Sequence, residues 1–171
     1  MRKIPALLVV CLFLSSTLTA DDGSTITSKD GTLTLELPSG WKQGEPSNKE
    51  TLIKATTTDG QVIINVFSTD KADWDDLAAY AKHTVESLTG REQKATSTGP
   101  VKMEVGGKPA LRYDVTLSSP SGSRYGEVLV FTETATRFNE FACTGYMSKF
   151  KEAKDSWAKL ANGLNENPPK K

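Results

Sequence analysis

Val101-Lys102-Met103-Glu104-Val105-Gly106-Gly107-Lys108-Pro109-Ala110-Leu111-Arg112-Tyr113-Asp114-Val115-Thr116-Leu117 is the stretch whose reading decides the fold. Val101, Met103 and Val105 alternate with charged residues. On the return arm Leu111, Tyr113, Val115 and Leu117 alternate with Arg112, Asp114 and Thr116. A period of two belongs to a half-buried strand, and Gly106-Gly107 admits the positive φ angles of a tight hairpin turn. The stretch is an antiparallel hairpin whose apolar face must be covered by another part of the chain.

Reading outward supplies the cover. Downstream, Ser118 to Ser123 is a loop by composition, and two strand-like runs, Tyr125–Thr134 and Arg137–Thr144, join through a short turn near Ala135. Phe150, Ala153, Trp157, Leu160, Ala161 and Leu164 then form an apolar helical stripe. Upstream, Leu33, Leu35 and Leu37 mark a strand ended by Pro38-Ser39-Gly40-Trp41. Thr51–Thr57 and Gln61–Ser68 flank a hairpin turn at Asp59-Gly60. The run Val62 to Phe67 is apolar at nearly every position, as in an interior strand with both faces covered over at least part of its length. Trp74, Leu77, Ala78, Ala81, Val85 and Leu88 define a first helix, with Asp73 as its expected N-cap, Asp75 and Asp76 in its first turn, and Gly90 as its stop. The order predicts an α+β fold: a predominantly antiparallel sheet flanked by two amphipathic helices, an α/β/α sandwich.

The chain has 171 residues, with 21 basic and 21 acidic side chains. Zero net charge argues against a nucleic-acid binder, and 37% apolar content is enough for a core. Residues 1–20 read as a cleavable secretory leader. Arg2 and Lys3 are its basic start, and the apolar run Ala6–Leu14 is far shorter than the ~20 residues of a membrane span. Thr17-Leu18-Thr19-Ala20 is a small-x-small site, so cleavage is expected between Ala20 and Asp21. Val10 is too large for the residue before a lipidated cysteine, which argues against Cys11 as an anchor. Expected after cleavage are a flexible lead-in over 21–31, one domain over 32–165, a disordered tail over 166–171 and no transmembrane segment. The expected location is periplasmic or extracellular. Cys143, the cysteine that remains, sits in Phe141-Ala142-Cys143 and is expected to be buried and inert.

In layout the chain resembles the PsbP-like fold family, which includes lumenal PsbP and bacterial DcrB-like envelope proteins. The resemblance is carried by the strand Thr32–Leu37 running into Pro38-x-Gly40-Trp41, the acidic-led helix Asp73–Leu88, the turn Val105-Gly106-Gly107-Lys108-Pro109-Ala110 and the closing helix from Phe150. It implies an accessory, assembly or binding role, with another envelope protein as partner. No metal or cofactor motif carries over residue by residue.

The residues themselves offer little chemistry. His83, the single histidine, falls opposite the apolar stripe of the first helix, where it is a solvated residue. A catalytic or metal-binding role beside Asp76 would require further ligands brought to that face. Asp70, Asp73, Asp75 and Asp76 lack the spacing of a calcium loop and are accounted for by capping. Gly106-Gly107 lacks the Lys-Ser/Thr end and following helix of a phosphate loop. Trp41, Trp74 and Trp157 either line a ligand pocket or pack in the core, and packing is the expected role because two of them lie on the apolar helical stripes. Arg112 and Asp114, on the less apolar face of their strand, either pair with neighbours or mark a surface open to a partner. The functional expectation is an exported, non-enzymatic accessory or binding protein without a cofactor. A carrier of an apolar or lipid ligand is the alternative, and a hydrolase using dispersed carboxylates a third reading, since no carboxylate pair stands out as buried.

Overall fold

The computed structural model describes residues 23–91, 94–119 and 121–167. The leader, its cleavage point at Ala20 and Asp21, and residues 168–171 lie outside the described residues. The strands are β1 (Ser24–Thr27), β2 (Leu33–Leu37), β3 (Trp41–Gln43), β4 (Ile53–Thr57), β5 (Val62–Asp70), β6 (Thr96–Val105), β7 (Lys108–Ser118), β8 (Arg124–Glu133), β9 (Arg137–Tyr146) and β10 (Leu164–Glu166). The helices are α1 (Leu77–Arg91) and α2 (Met147–Leu160). Seven strands form one antiparallel sheet in the order β3-β4-β5-β9-β8-β7-β6, and β1-β2-β10 form a small second sheet. The fold is α+β, as the alternation predicts.

The hairpin that opens the argument is β6–β7. Gly106 and Gly107 both take positive φ, 56° and 75°, which a side chain would disfavour. Beside it, β8 and β9 form the centre of the large sheet, and Val128, Leu129, Val130 and Phe131 are completely buried on both faces.

One face of the sheet carries α2 and the small sheet. Ile26, Leu33, Leu35 and Leu37 join Ile64, Val66, Val130, Phe141, Phe150 and Trp157 in a single core. Cys143 lies in this core with no exposure, and burial together with the charge of Glu127 pushes its thiol well above the ordinary range. Two glycines paired across β8 and β9, Gly126 and Gly145, make the docking surface for α2. A Cβ on Gly126 would collide with the Phe150 ring, and one on Gly145 would stand 2.7 Å from the Trp157 indole. α1 packs on the opposite face through Tyr80, Ala81 and Val85, over Tyr113, Val115, Leu129, Phe131 and Ala142.

Several local expectations are corrected. The lead-in is not loose over its whole length: Ser24–Thr27 pairs with β2, because the alternating leucines of β2 offer it a free edge. Asp30 fastens the following turn. Burial pushes its carboxyl up, but the hydroxyls of Thr32 and Ser28, the Thr32 N–H and Arg137 outweigh that and hold it near 2. At the other end, Leu164–Glu166 continues the small sheet, and Asn167 bonds to the Thr32 and Gly31 carbonyls, so Glu166 and Asn167 of the tail expected over 166–171 are tied to the domain. The first helix begins later than its stripe implies. Asp70 caps a short turn at Lys71–Asp73, Trp74 is extended, and Asp76 is the helix cap, accepting from the Ala79 N–H at 2.7 Å. Gly90 lies inside α1 rather than ending it, and the register of β6 on β7 shifts at Gly99-Pro100.

Trp157→Ala should lower stability by about 3–5 kcal/mol as a buried aromatic truncation. Gly126→Ala should lower it by about 1–3 kcal/mol although it adds only a methyl, because it overfills the seat of Phe150. Urea unfolding measures both. A Gly126→Ala variant as stable as wild type would show that α2 does not sit as described.

Candidate functional site

The side-chain alternation of β8 and β9 directs Gly126 and Gly145 toward α2 and their neighbours Glu127 and Thr144 toward the other face. There α1 covers the sheet from β6 to β9 but leaves β5 partly open, and Ile63, Asn65 and Phe67 are only half-buried. The strand Val62–Phe67 is therefore fully covered on one face alone. Between α1 and this uncovered part lies a cleft of about 490 Å³, lined among others by Phe67, Trp74, Tyr80, His83, Glu127 and Glu140.

Glu127 and Glu140 are the site residues that sequence reasoning missed. Glu127 is only 9% exposed, and its Oε1 accepts a hydrogen bond from the Thr144 hydroxyl at 2.8 Å. Glu140 is half-buried and lines the cleft, with the Tyr80 hydroxyl 3.4 Å from its Oε2. The register sets Glu127 opposite Thr144 and Glu140 opposite Phe131, with the Leu129–Ala142 pair between them. That offset is roughly 14 Å along the strands at ~3.4 Å per residue, and both glutamates line the cleft. Burial, and then the charge of Glu127, push the Glu140 carboxyl up to about 7. Burial likewise raises Glu127 against the opposing hydrogen bond from Thr144. A signal for this pair was present in the sequence: Glu127 directly precedes the apolar run Val128–Phe131, and Glu140 sits between Asn139 and Phe141, so both belong to strands too apolar to face water.

The walls of the cleft are aromatic. Tyr80 meets Phe131 edge-on at 5.6 Å and stacks on Phe138 at 5.9 Å, which fixes its hydroxyl at the floor. Trp74, held outside α1 by the capped turn before it, lies 5.3 Å from Tyr80 and 4.9 Å from the exposed His83 ring. Its indole Nε1 is buried without a hydrogen-bond partner among the described residues. His83 thus belongs to the rim of the cleft. Asp76 caps the helix and lines a separate hollow with Met103 and Leu111. Trp41 and Trp157 pack with the opposite core.

Arg112 and Asp114 pair with neighbours, the first of the two roles expected of them. Their strand turns them toward α2, where their side chains are 16% and 14% exposed. Arg112 grips Asp114 with two bonds, at 2.7 and 3.1 Å, and reaches Asp155 at 2.8 Å, while Lys154 also bonds Asp114 at 2.8 Å. These charges clamp α2 to β7. Among the described residues no three His, Cys, Asp or Glu side chains come together as a metal-binding group, and no helix is long and apolar enough to cross a membrane.

The state of Glu140 makes stability depend on pH. Unfolded, its carboxyl releases its proton near 4.5; folded, it holds the proton to about 7. Between these values the unfolded chain binds fewer protons, so stability falls as pH rises from 4.5 to 7 and the loss is constant above. The contribution is on the order of 2–3 kcal/mol. Glu140→Gln should flatten this part of the profile and be the more stable protein at pH 8. Equal slopes for variant and wild type in urea titrations would show that Glu140 ionises normally.

A scan against protein-family models finds no match, and a comparison with curated proteins finds none either. Solved structures do resemble the chain. Cyanobacterial PsbP (CyanoP) from Synechocystis sp. PCC 6803 superposes with a TM-score of 0.63 at 9% identity, over 91% of this chain and 99% of that one. LpqN of Mycobacterium tuberculosis, involved in cell envelope biogenesis, gives 0.58 at 12% identity, over 86% and 91%. The Ran-binding protein Mog1p of Saccharomyces cerevisiae gives 0.57 at 11% identity, over 85% and 96%. With a large antiparallel sheet, two helices and these neighbours, the chain has the PsbP-like fold.

Proposed function

We propose that the protein is an exported, non-enzymatic accessory or binding protein of the cell envelope, and that it binds through the cleft between α1 and the sheet. The observation that carries this reading is the cleft itself: a concavity of about 490 Å³ with aromatic walls and a few polar groups at its floor. Such a combination is typical of binding sites, in which the walls bury the ligand and the polar groups orient it. Export rests on the leader-like segment ending at Ala20. An envelope role is supported by the likeness to LpqN. The half-buried Phe67 and Leu88, beside Trp74, also favour a second reading in which the cleft carries a ligand with an apolar body.

Two experiments test the proposal. N-terminal sequencing of the exported protein should begin at Asp21; a chain beginning at Met1, or lipid on Cys11, would contradict it. In crosslinking within the native envelope, Ser87→Trp should plug the cleft and lose the adduct formed by wild type. Lys151→Trp, on the exposed side of α2, should keep it. An adduct that survives Ser87→Trp places binding elsewhere. A defined apolar molecule on protein isolated without detergent, seen by native mass spectrometry and absent from Ser87→Trp, would instead support the carrier.

A further inference from the structure

Several carboxylates elsewhere in the fold have cations beside them, Asp114 the most sheltered of them. Asp114 bonds Arg112 and Lys154, Asp30 bonds Arg137, and Glu133 pairs with Lys71 at 2.7 Å. Glu127 and Glu140 have none among the described residues. Among the described residues their hydrogen-bond partners are the hydroxyls of Thr144 and Tyr80, with Thr144 on Glu127 Oε1, and Glu127 is 9% exposed. Arg91 lines the mouth of the cleft, but it is exposed and forms no ion pair with either glutamate. The remaining titratable groups facing the cleft are Glu50, Tyr80 and His83. Ionising two sheltered carboxyls without a counter-charge is costly, and here the space beside them is an aromatic-walled opening. Aromatic faces attract cations as carboxylates do, whereas a fatty-acid carboxylate would meet two groups of its own sign. A calcium ion would require about six to eight oxygen ligands, more than this floor offers.

We propose that the cleft receives an organic cation, an ammonium or guanidinium on an apolar stem, with Glu127 and Glu140 as its counter-charges and Phe67, Trp74 and Tyr80 as its walls. The inference rests on the reading of this cleft as the binding site and adds the chemical class of what enters it. The charged head replaces the missing cation at the floor, and the stem lies along the aromatic walls. Because Glu140 titrates near 7, an incoming cation favours its ionised form and releases a proton, so affinity rises with pH.

Calorimetry and NMR titration of the full chain with n-hexylamine and agmatine test the proposal. Hexanol and hexanoate serve as neutral and anionic controls, and the peptide acetyl-Gly-Arg-Gly-amide as a basic side chain presented by a protein. The amines should shift the amides of Phe67, Trp74 and Glu140 and bind at least about tenfold more tightly than hexanol, the scale of one charge-assisted hydrogen bond. Glu127→Gln and Glu140→Gln should each remove about that factor for the amines and leave hexanol unchanged, with circular dichroism confirming the fold. Affinity for hexylamine should rise between pH 5.5 and 8 in wild type and in His83→Gln, but not in Glu140→Gln. Tighter binding of the peptide than of agmatine makes the source a partner's basic side chain; the reverse makes it a free amine. Equal or tighter binding of hexanol or hexanoate overturns the cation and leaves the cleft as a binding site. No shift at the cleft with any probe at ~10 mM overturns the inference, and joined to an adduct that survives Ser87→Trp it removes the binding site as well.

Discussion

The contact between the Gly126–Gly145 pair and the rings of Phe150 and Trp157 is the constraint on which the rest of the arrangement depends. A helix can approach the middle of a sheet this closely only where the strands present no side chain. The aromatic anchors then fill the space that two absent Cβ atoms leave, at interior packing density. The same contact sets where the chain goes next. Once Trp157 is seated, α2 ends and the backbone at Gly163 passes so close to Glu36 that a Cβ there would collide with its carbonyl. That close approach delivers β10 to the edge of β2 and completes the small sheet over the core.

Because successive strand residues face opposite sides, the glycine seat on one face fixes what stands on the other. Gly126 is followed by Glu127, and Gly145 is preceded by Thr144, so the hydrogen-bonded pair Glu127–Thr144 lies back to back with the seat of α2. α1 is anchored farther along, by Tyr80 against Phe131 and Phe138, and it leaves β5 partly open. The cleft is the remainder of a sheet face that one helix is too narrow to cover. Its position next to the most rigid strand pair gives it a fixed floor, as a preorganised binding site needs.

Charge divides the molecule in the same way. On the α2 side, acids and bases neutralise one another across elements, with Asp114 held by both Arg112 and Lys154. Such ion pairs fasten a helix with geometric precision even where their net energy is modest. On the α1 side, two carboxyls stand in an apolar strand pair with hydroxyl partners alone. Their environment works against ionisation, and that makes this cleft, rather than the exposed His83 or the capping aspartates, the chemically distinctive part of the surface.

The sequence by itself determined the strands and hairpins, since turn residues and alternation act within a few residues. Asp59-Gly60 and Gly106-Gly107 set two hairpins locally, and the stripes of Phe150–Leu164 and Trp74–Leu88 identified both helices, though not their ends. Those patterns, with the short connections between them, were enough for the α+β class. Tertiary structure decided whatever depends on which surface meets which. Arg112 and Asp114 alternate as solvent-facing residues do, and only the arrival of α2 makes them interior partners. Ser24–Thr27 has no strand signal of its own and becomes one because β2 has an open edge. Asp73 and Asp76 are equally good caps in isolation, and the placement of Trp74 selects Asp76. Glu127 and Glu140 stand in runs too apolar to face water, yet only the sheet order sets them on neighbouring central strands and only the limited width of α1 leaves a cleft above them. A carboxyl's chemistry is set by the water it loses and the charges it meets, and both depend on contacts between residues far apart in the chain.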